Sequence, residues 1–214
     1  MRSCAFLLCL FAQVSETPSA LEKDPTGWTD LLAGAGPELK GWTRGTIPPG
    51  GQLAAKSQWS LDGATGHLIC QGDGGHEWLR WDKEAADGTF HVEWRFTEVE
   101  GKKGHNSGIY VRNSADAKVW HQAQTGSASG GYLFGESPVS GELKRVNLAK
   151  EMKGSRVRPA GEWNVFEITC KGPELTLWVN GAVTSVWSNC EALKGHLGLE
   201  AEGHRIEFRN VKFK

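Results

Sequence analysis

Several things are missing from this sequence, and each absence removes a class of protein. No apolar run approaches the ~20 residues that a helix needs to cross a bilayer; the most apolar stretch, residues 4–11, is far shorter. Neither sign of charge dominates: 24 Lys and Arg face 25 Asp and Glu, a net charge of −1. No electrostatic excess therefore draws the chain to nucleic acid or to an anionic membrane. Cysteine is sparse. Cys4 and Cys9 lie at the very start, which leaves Cys70, Cys170 and Cys190. An odd count of three allows at most one internal bridge and excludes a disulfide-framework fold. Cys170 continues the apolar alternation of Phe166 and Ile168 and reads as a small buried hydrophobe; a Cys170–Cys190 bridge stays open. No Gly-x-Ser-x-Gly elbow, P-loop or His-Glu-x-x-His zinc motif occurs. The Glu-x-Asp-x-x-Glu strand motif of sandwich glucanases is also absent, since Glu93 is followed two positions later by Arg95.

What is abundant is glycine, at 28 residues, and tryptophan, at 10. Many glycines mark many turns and favour short strands over long helices. Arg2, the apolar run over residues 4–11 and small residues up to Ala20 read as an export leader. The expected organisation is therefore a leader over residues 1–20 and one domain over residues 21–214. The expected location is secreted or periplasmic, without a transmembrane segment.

The domain shows repeated period-two patterning. Phe90, Val92, Trp94 and Phe96 alternate with His91, Glu93 and Arg95. Ile109 and Val111 oppose Tyr110 and Arg112. Leu175, Leu177 and Val179 oppose Thr176, Trp178 and Asn180. Leu197 and Leu199 oppose His196 and Glu200, and Ile206 and Phe208 oppose Glu207 and Arg209. Such alternation gives a strand one dry face and one wet face. Asn180-Gly181 between two such runs is a hairpin signal, and Asp62-Gly63 and Asp87-Gly88 also precede strand-like runs. Many short antiparallel strands with clean alternation predict an all-β fold, a two-sheet antiparallel β-sandwich of the jelly-roll, concanavalin A-like kind. Residues 136–161, with Pro138, Pro159 and six basic residues, read as a long loop, either functional or a solvated insertion. Residues 148–152 have room for one helical turn.

One polar cluster has chemical content. Asn106, Tyr110 and Arg112 come from one segment. Gln122 and Gln124 alternate on the next, with His121 between them and Trp120 before. If the two strands are neighbours, Tyr110, Arg112, Gln122 and Gln124 share a face. Amides and a guanidinium bond sugar hydroxyls, and an aromatic ring covers the apolar face of a pyranose. The bland reading is a solvated sheet face. Trp78 and Arg80 alternate and would rim that face, although Trp78 also suits a core. Glu200 is the best carboxylate candidate for the cleft, an outer-surface glutamate being the alternative. Glu93 and Arg95 suit an ion pair on a wet face.

Together these segments resemble the 3-keto-disaccharide hydrolase family across nearly all of the chain after the leader. The resemblance is carried by Trp28-Thr29-Asp30-Leu31-Leu32, Trp78-Leu79-Arg80, Asn106-Ser107-Gly108-Ile109-Tyr110-Val111-Arg112, Glu162-Trp163-Asn164, Gly195-His196-Leu197-Gly198-Leu199-Glu200 and Glu207-Phe208-Arg209-Asn210-Val211. One position departs. Where the family often has Glu-x-Gln-Ile, this chain reads Gln122-Ala123-Gln124-Thr125, an amide in place of an acid.

The resemblance implies cleavage of a 3-keto-glycoside by elimination and hydration. The ketone acidifies the hydrogen at C2, a base removes it, and the enolate expels the oxygen at C1. His121 or Glu200 would be the base, and Arg112 or a bound divalent metal ion would stabilise the enolate. No metal-ligand set is legible. Trp78, Arg80, Asn106, Tyr110, Gln122 and Gln124 would bind the carbohydrate. The rival reading is a non-catalytic, lectin-like carbohydrate-binding module.

Overall fold

The computed structural model describes residues 16–101, 103–126 and 129–214; most of the expected leader lies outside these residues. Among the described residues, fifteen strands follow one four-residue helix, α1 (Ala20–Lys23). In chain order they are β1 (Thr29–Asp30), β2 (Trp42–Thr46), β3 (Trp59–Leu61), β4 (Leu68–Cys70), β5 (Glu77–Ala85), β6 (Gly88–Phe96), β7 (Gly108–Asn113) and β8 (Trp120–Gln124). Then come β9 (Leu133–Val139), β10 (Glu142–Asn147), β11 (Asn164–Lys171), β12 (Glu174–Val179), β13 (Ala182–Trp187), β14 (Gly195–Ala201) and β15 (Ile206–Phe213).

They form two antiparallel sheets. The first runs β13-β12-β11-β6-β15-β4-β3, with β1 added alongside β15; the second runs β10-β9-β8-β7-β14-β5-β2. The chain is thus a two-sheet β-sandwich. Consecutive strands often change sheet. Asp87-Gly88 is one such corner, joining β5 of the second sheet to β6 of the first.

The alternation works as the residues demand. Phe90, Val92, Trp94 and Phe96 of β6 are all buried, as are Phe166 and Ile168 beside them on β11. From the second sheet, Leu79, Ile109, Val111, Leu197 and Leu199 join the same hydrophobic cluster. Each such side chain stabilises the fold by roughly 1.5–3 kcal/mol before ordering costs. The hairpin at Asn180-Gly181 forms as expected, with φ of 41° and 104° at its two central residues. That is the mirror-image turn whose twist suits a two-residue connection.

Two features differ from expectation, the loop and the Glu93–Arg95 pair, while Cys170 is the small buried hydrophobe that was expected. Residues 136–161 are not one long loop: they begin within the β9–β10 hairpin, which turns at Ser140-Gly141. Pro138 is tolerated there because it pairs with Leu143 one rung from the hairpin's end. Residues 148–151 close one turn through Glu151 N–H to the Leu148 carbonyl, without forming a helix. Cys70, Cys170 and Cys190 are all buried free thiols, so no Cys170–Cys190 bridge forms. Finally, Glu93 and Arg95 do not pair with each other. Glu93 bonds Arg209, and Arg95 bonds Glu207 across β15, because cross-strand neighbours lie closer than side chains two apart on one strand.

Residues 16–23 lie against the outer face of the first sheet. The Thr17 N–H donates to the Gly181 carbonyl at 2.7 Å. Ser19 caps α1 in a reciprocal capping box with Glu22.

Candidate functional site

The second sheet turns one face to the core and the other to a cleft of about 530 Å³. Such a volume lies within the range of small-molecule sites. The alternation that buries Leu79, Ile109, Ala123 and Leu199 turns Trp78, Tyr110, Gln122, Gln124 and Glu200 toward the cleft. Register aligns them: Gly198 sits opposite Tyr110 and Arg80, Glu200 opposite Trp78, and Tyr110 opposite Gln122.

Glu200 is the hub of the site. Only 3% exposed, it accepts a hydrogen bond from the Tyr110 hydroxyl at 2.7 Å and one from the Gln122 amide at 2.8 Å. His76 Nε2 lies 2.8 Å from the same carboxylate. Burial, followed by the Glu200 charge, pushes the Tyr110 phenol well above its ordinary range. The bond to Glu200 raises His76, against the opposing effect of burial. His76 sits just before β5, and its carbonyl holds the Ile47 N–H at 3.0 Å.

A chain of amides ties Glu200 to a second carboxylate. Gln122 also reaches the Gln124 carbonyl oxygen at 3.2 Å. The Gln124 amide donates to Asn106, and the Asn106 amide donates to Glu202 in the turn after β14. Burial first, then the nearby Glu200, pushes the Glu202 carboxyl up. Ligand atoms of His76, Glu200 and Glu202 lie within 4.8 Å of one another. One imidazole and two carboxylates are a suitable donor set for a divalent cation. Small shifts would bring all three within reach of one ion.

The cleft walls are aromatic. Trp78 meets Tyr110 edge to face at 5.8 Å, and Trp120 meets Phe134 in the same way at 5.2 Å. Arg145, from β10, lies 4.4 Å over the Trp120 ring. The β9–β10 hairpin therefore supplies one wall. Ile47, Pro48 and Pro49 supply another part of the lining.

The Asn106-Ser107-Gly108 block has a physical reading here. Asn106 carries the amide chain, and Ser107 Oγ donates to the Glu200 carbonyl at 2.8 Å. Gly108 leaves room for Gln122, whose Nε2 lies 2.1 Å from where a Cβ would be. Gly198 does the same for Trp78, whose ring would lie 2.6 Å from an added Cβ.

Of the residues expected at the site, the structure brings Trp78, Asn106, Tyr110, Gln122, Gln124 and Glu200 together. Three fall elsewhere. His121 is fully buried on the core side, bonded to Ser137 at 2.9 Å and edge-on to Trp187. Burial, with Arg112 nearby, pulls its pKa down to about 4. It cannot reach a substrate in the cleft. Arg112 was expected beside Tyr110 but has φ of 53°, and the facing strand shifts register between His196 and Gly198. This irregularity breaks the alternation. Asn113 lines the cleft instead, and Arg112 bonds Gly172, Ala192 and Asp87 away from it. Arg80 does not line the cleft; it bonds the Ala115 carbonyl at 3.0 Å, bracing the β7–β8 loop. Sequence reasoning passed over His76, Glu202, Phe134 and Arg145. His76 and Glu202 lie next to strand ends, where alternation carries no signal.

A family model described as "3-keto-alpha-glucoside-1,2-lyase-like domain" matches residues 27–214. Among solved structures, a candidate glycosyl hydrolase from Parabacteroides distasonis superposes with a TM-score of 0.61 at 18% identity, covering 94% of this chain and 98% of that one. The carbohydrate binding module CBM66 from Bacillus subtilis gives 0.58 at 14% identity, covering 81% and 96%. A Bacillus licheniformis β-glucanase gives 0.51 at 11% identity, covering 81% and 91%. These likenesses show a shared jelly-roll fold. No curated protein sequence matches the chain.

Proposed function

Because the chain belongs to the family of 3-keto-alpha-glucoside-1,2-lyase-like domains, we propose that its cleft binds a 3-keto-glycoside and breaks the glycosidic bond by elimination, with water adding afterwards. The observation that carries this reading is the Glu200 hub at the end of an aromatic cleft. Ordinary glycosidases set two carboxylates on either side of the scissile bond, roughly 5–9.5 Å apart. Here Glu200 and Glu202 sit side by side, with ligand oxygens within 4.8 Å. That arrangement suits proton transfer beside one carbon better than attack from opposite faces.

His76 is the group best placed to take the C2 proton. It is the more exposed partner of the pair, and Glu200 fixes its Nε2 side. With Nε2–H donated to the carboxylate, the other ring nitrogen is free to act as base. The C2–H electron pair then forms the C1–C2 double bond, and the C1–O bond breaks. Glu202, a carboxyl pushed upward, supplies the proton that the departing oxygen needs. Trp120 and Phe134 offer apolar surface to the sugar ring, and Gln124 offers its amide to the hydroxyls. The trio His76, Glu200 and Glu202 would also hold a divalent cation, which when bound supplies positive charge toward the ketone oxygen.

The experiment is a paired incubation with a 3-keto-disaccharide and its unoxidised parent, with and without chelator. Release of sugar from the keto form alone supports the proposal; cleavage of both forms, or of neither, overturns it. Turnover that survives chelation favours His76 as the base, and turnover that chelation abolishes favours the trio as a cation seat. A second reading, a carbohydrate-binding module, draws support from the amide chain, which grips hydroxyls without needing chemistry, and from the CBM66-like sandwich. Binding without turnover would establish it. The basic start and apolar run over residues 4–11 support export, so the sugar would be met outside the cytoplasm.

A further inference from the structure

We propose that leader removal stops upstream of Thr17, so that the processed protein keeps residues 17–23 as a strap folded onto its first sheet. The proposal rests on the export reading above. The apolar run and the small residues after it point to Ala20 as the last leader residue, and the strap's contacts argue otherwise.

The outer face of the first sheet carries a built receptor for this segment. Glu167 stands directly opposite His91 on β6 and Trp178 on β12, in one rung across three strands. Glu167 is 4% exposed. Its Oε2 accepts from the Ala20 N–H at 2.6 Å, and its Oε1 accepts from the Leu21 N–H at 3.1 Å. His91 Nδ1, at 2.8 Å, is the other partner. Trp178 Nε1 donates to Thr17 Oγ1 at 3.0 Å. Arg156 donates to the Asn180 carbonyl and reaches Glu16 at 2.7 Å. Ser19 is buried and closes the capping box.

Cutting after Ala20 would remove Thr17, Ser19 and the Ala20 amide together. Glu167 would lose one of its two strap donors. The capping Ser19 would be gone from α1, and Trp178 would lose its partner. Glu167 would keep His91 and Leu21, so the cost falls on the lost Ser19 cap and on the Thr17 bonds to Trp178 and Gly181. Leader removal precedes folding, so burial does not shield the bond; the receptor nevertheless serves residues that such a cut would discard. Pro18 also occupies the third position before that cut, where an extended small residue is usual. The strap lies outside the matched residues 27–214.

The test is to express the full chain in an exporting host and read the amino terminus of the exported protein by sequencing and intact mass. A first residue after Met1 and no later than Thr17 supports the proposal. A start at Pro18 or later overturns it alone, and retention of Met1 overturns the export reading with it. Hydrogen exchange on the exported protein provides the second readout. Slow exchange at Ala20 and Leu21, accelerated at least ~10-fold in Glu167→Ala with sugar turnover unchanged, supports the strap. Fast exchange at both amides in the unaltered protein overturns it.

Discussion

Glu200 illustrates how one carboxylate acquires a role from its neighbours. Its two oxygens face a phenol, an amide and an imidazole, each from a different part of the chain. Glu200→Gln would keep the shape and lose the charge that orients His76. We expect kcat/KM for the keto-sugar to fall by about 10²–10⁴-fold with the melting temperature nearly unchanged, measured side by side by steady-state kinetics and thermal unfolding. Gln122 offers the complementary probe. Its amide donates to Glu200, whereas the acid common in the family would press a second negative charge against it. Gln122→Glu should therefore bind a divalent cation at least ~10-fold more tightly than the unaltered protein, as titration calorimetry with Mn²⁺ would show. An unchanged affinity would mean that position 122 takes no part in charge balance. The pair Gln122 and Gln124 was legible from alternation alone. Glu202 and His76 were not, because residues just beyond strand ends are aimed by turns and by loop contacts.

At the level of single elements, the departures from simple alternation are the informative places. β7 follows period two through Ile109, Tyr110 and Val111 and then breaks at Arg112. A sequence pattern has no means of showing a left-handed residue that is not glycine, so the expected neighbour of Tyr110 was misplaced. The structure makes Arg112 a clamp, 1% exposed, that ties the end of β7 to the Gly172 and Ala192 carbonyls and to Asp87. Arg112→Ala should cost about 1–3 kcal/mol of stability, since it leaves half-buried carbonyls unpaired. The denaturation midpoint checks this, and turnover at low temperature should be nearly intact. Glycines tell a similar story. Gly108→Ala would force a Cβ into the Gln122 amide and should raise KM severalfold without much change in folding, as initial-rate measurements would reveal. The strands themselves were readable because burial on one face imposes the pattern. The β9–β10 hairpin was not, because β10 is exposed along nearly its whole length and so carries no apolar signature.

For the whole molecule, acid is the expected weakness. Buried His121, held at about 4, stays neutral in the native protein. An unfolded histidine takes up a proton near pH 6.5. Between those values the unfolded chain binds more protons, so stability is complete above pH 6.5 and declines as pH falls toward 4, by roughly 3 kcal/mol in all. Glu93 acts in the same direction at lower pH. Burial opposes its charge, but His91, Asn210 and Arg209 prevail and hold it at about 2. Its share of stability is present above pH 4.5 and lost as pH falls toward 2. His76 and His91, raised against burial by their carboxylate partners, act in the opposite sense. The His121 share is therefore read as the difference in thermal unfolding between pH 4 and 7 of the unaltered protein and His121→Gln.

The β10 strand has a second consequence, at the rim of the second sheet. As the last strand of that sheet it leaves one side of its backbone without a ladder partner, the geometry through which sheets of separate molecules join. Glu142, Lys144 and Arg145 place charge along it, and such charges discourage edge-to-edge joining. The same strand brings Arg145 over Trp120 to finish the cleft wall. The shape of the cleft wall and resistance to self-association therefore share one six-residue segment, and variation that remodels the wall is limited to side chains that keep this edge charged.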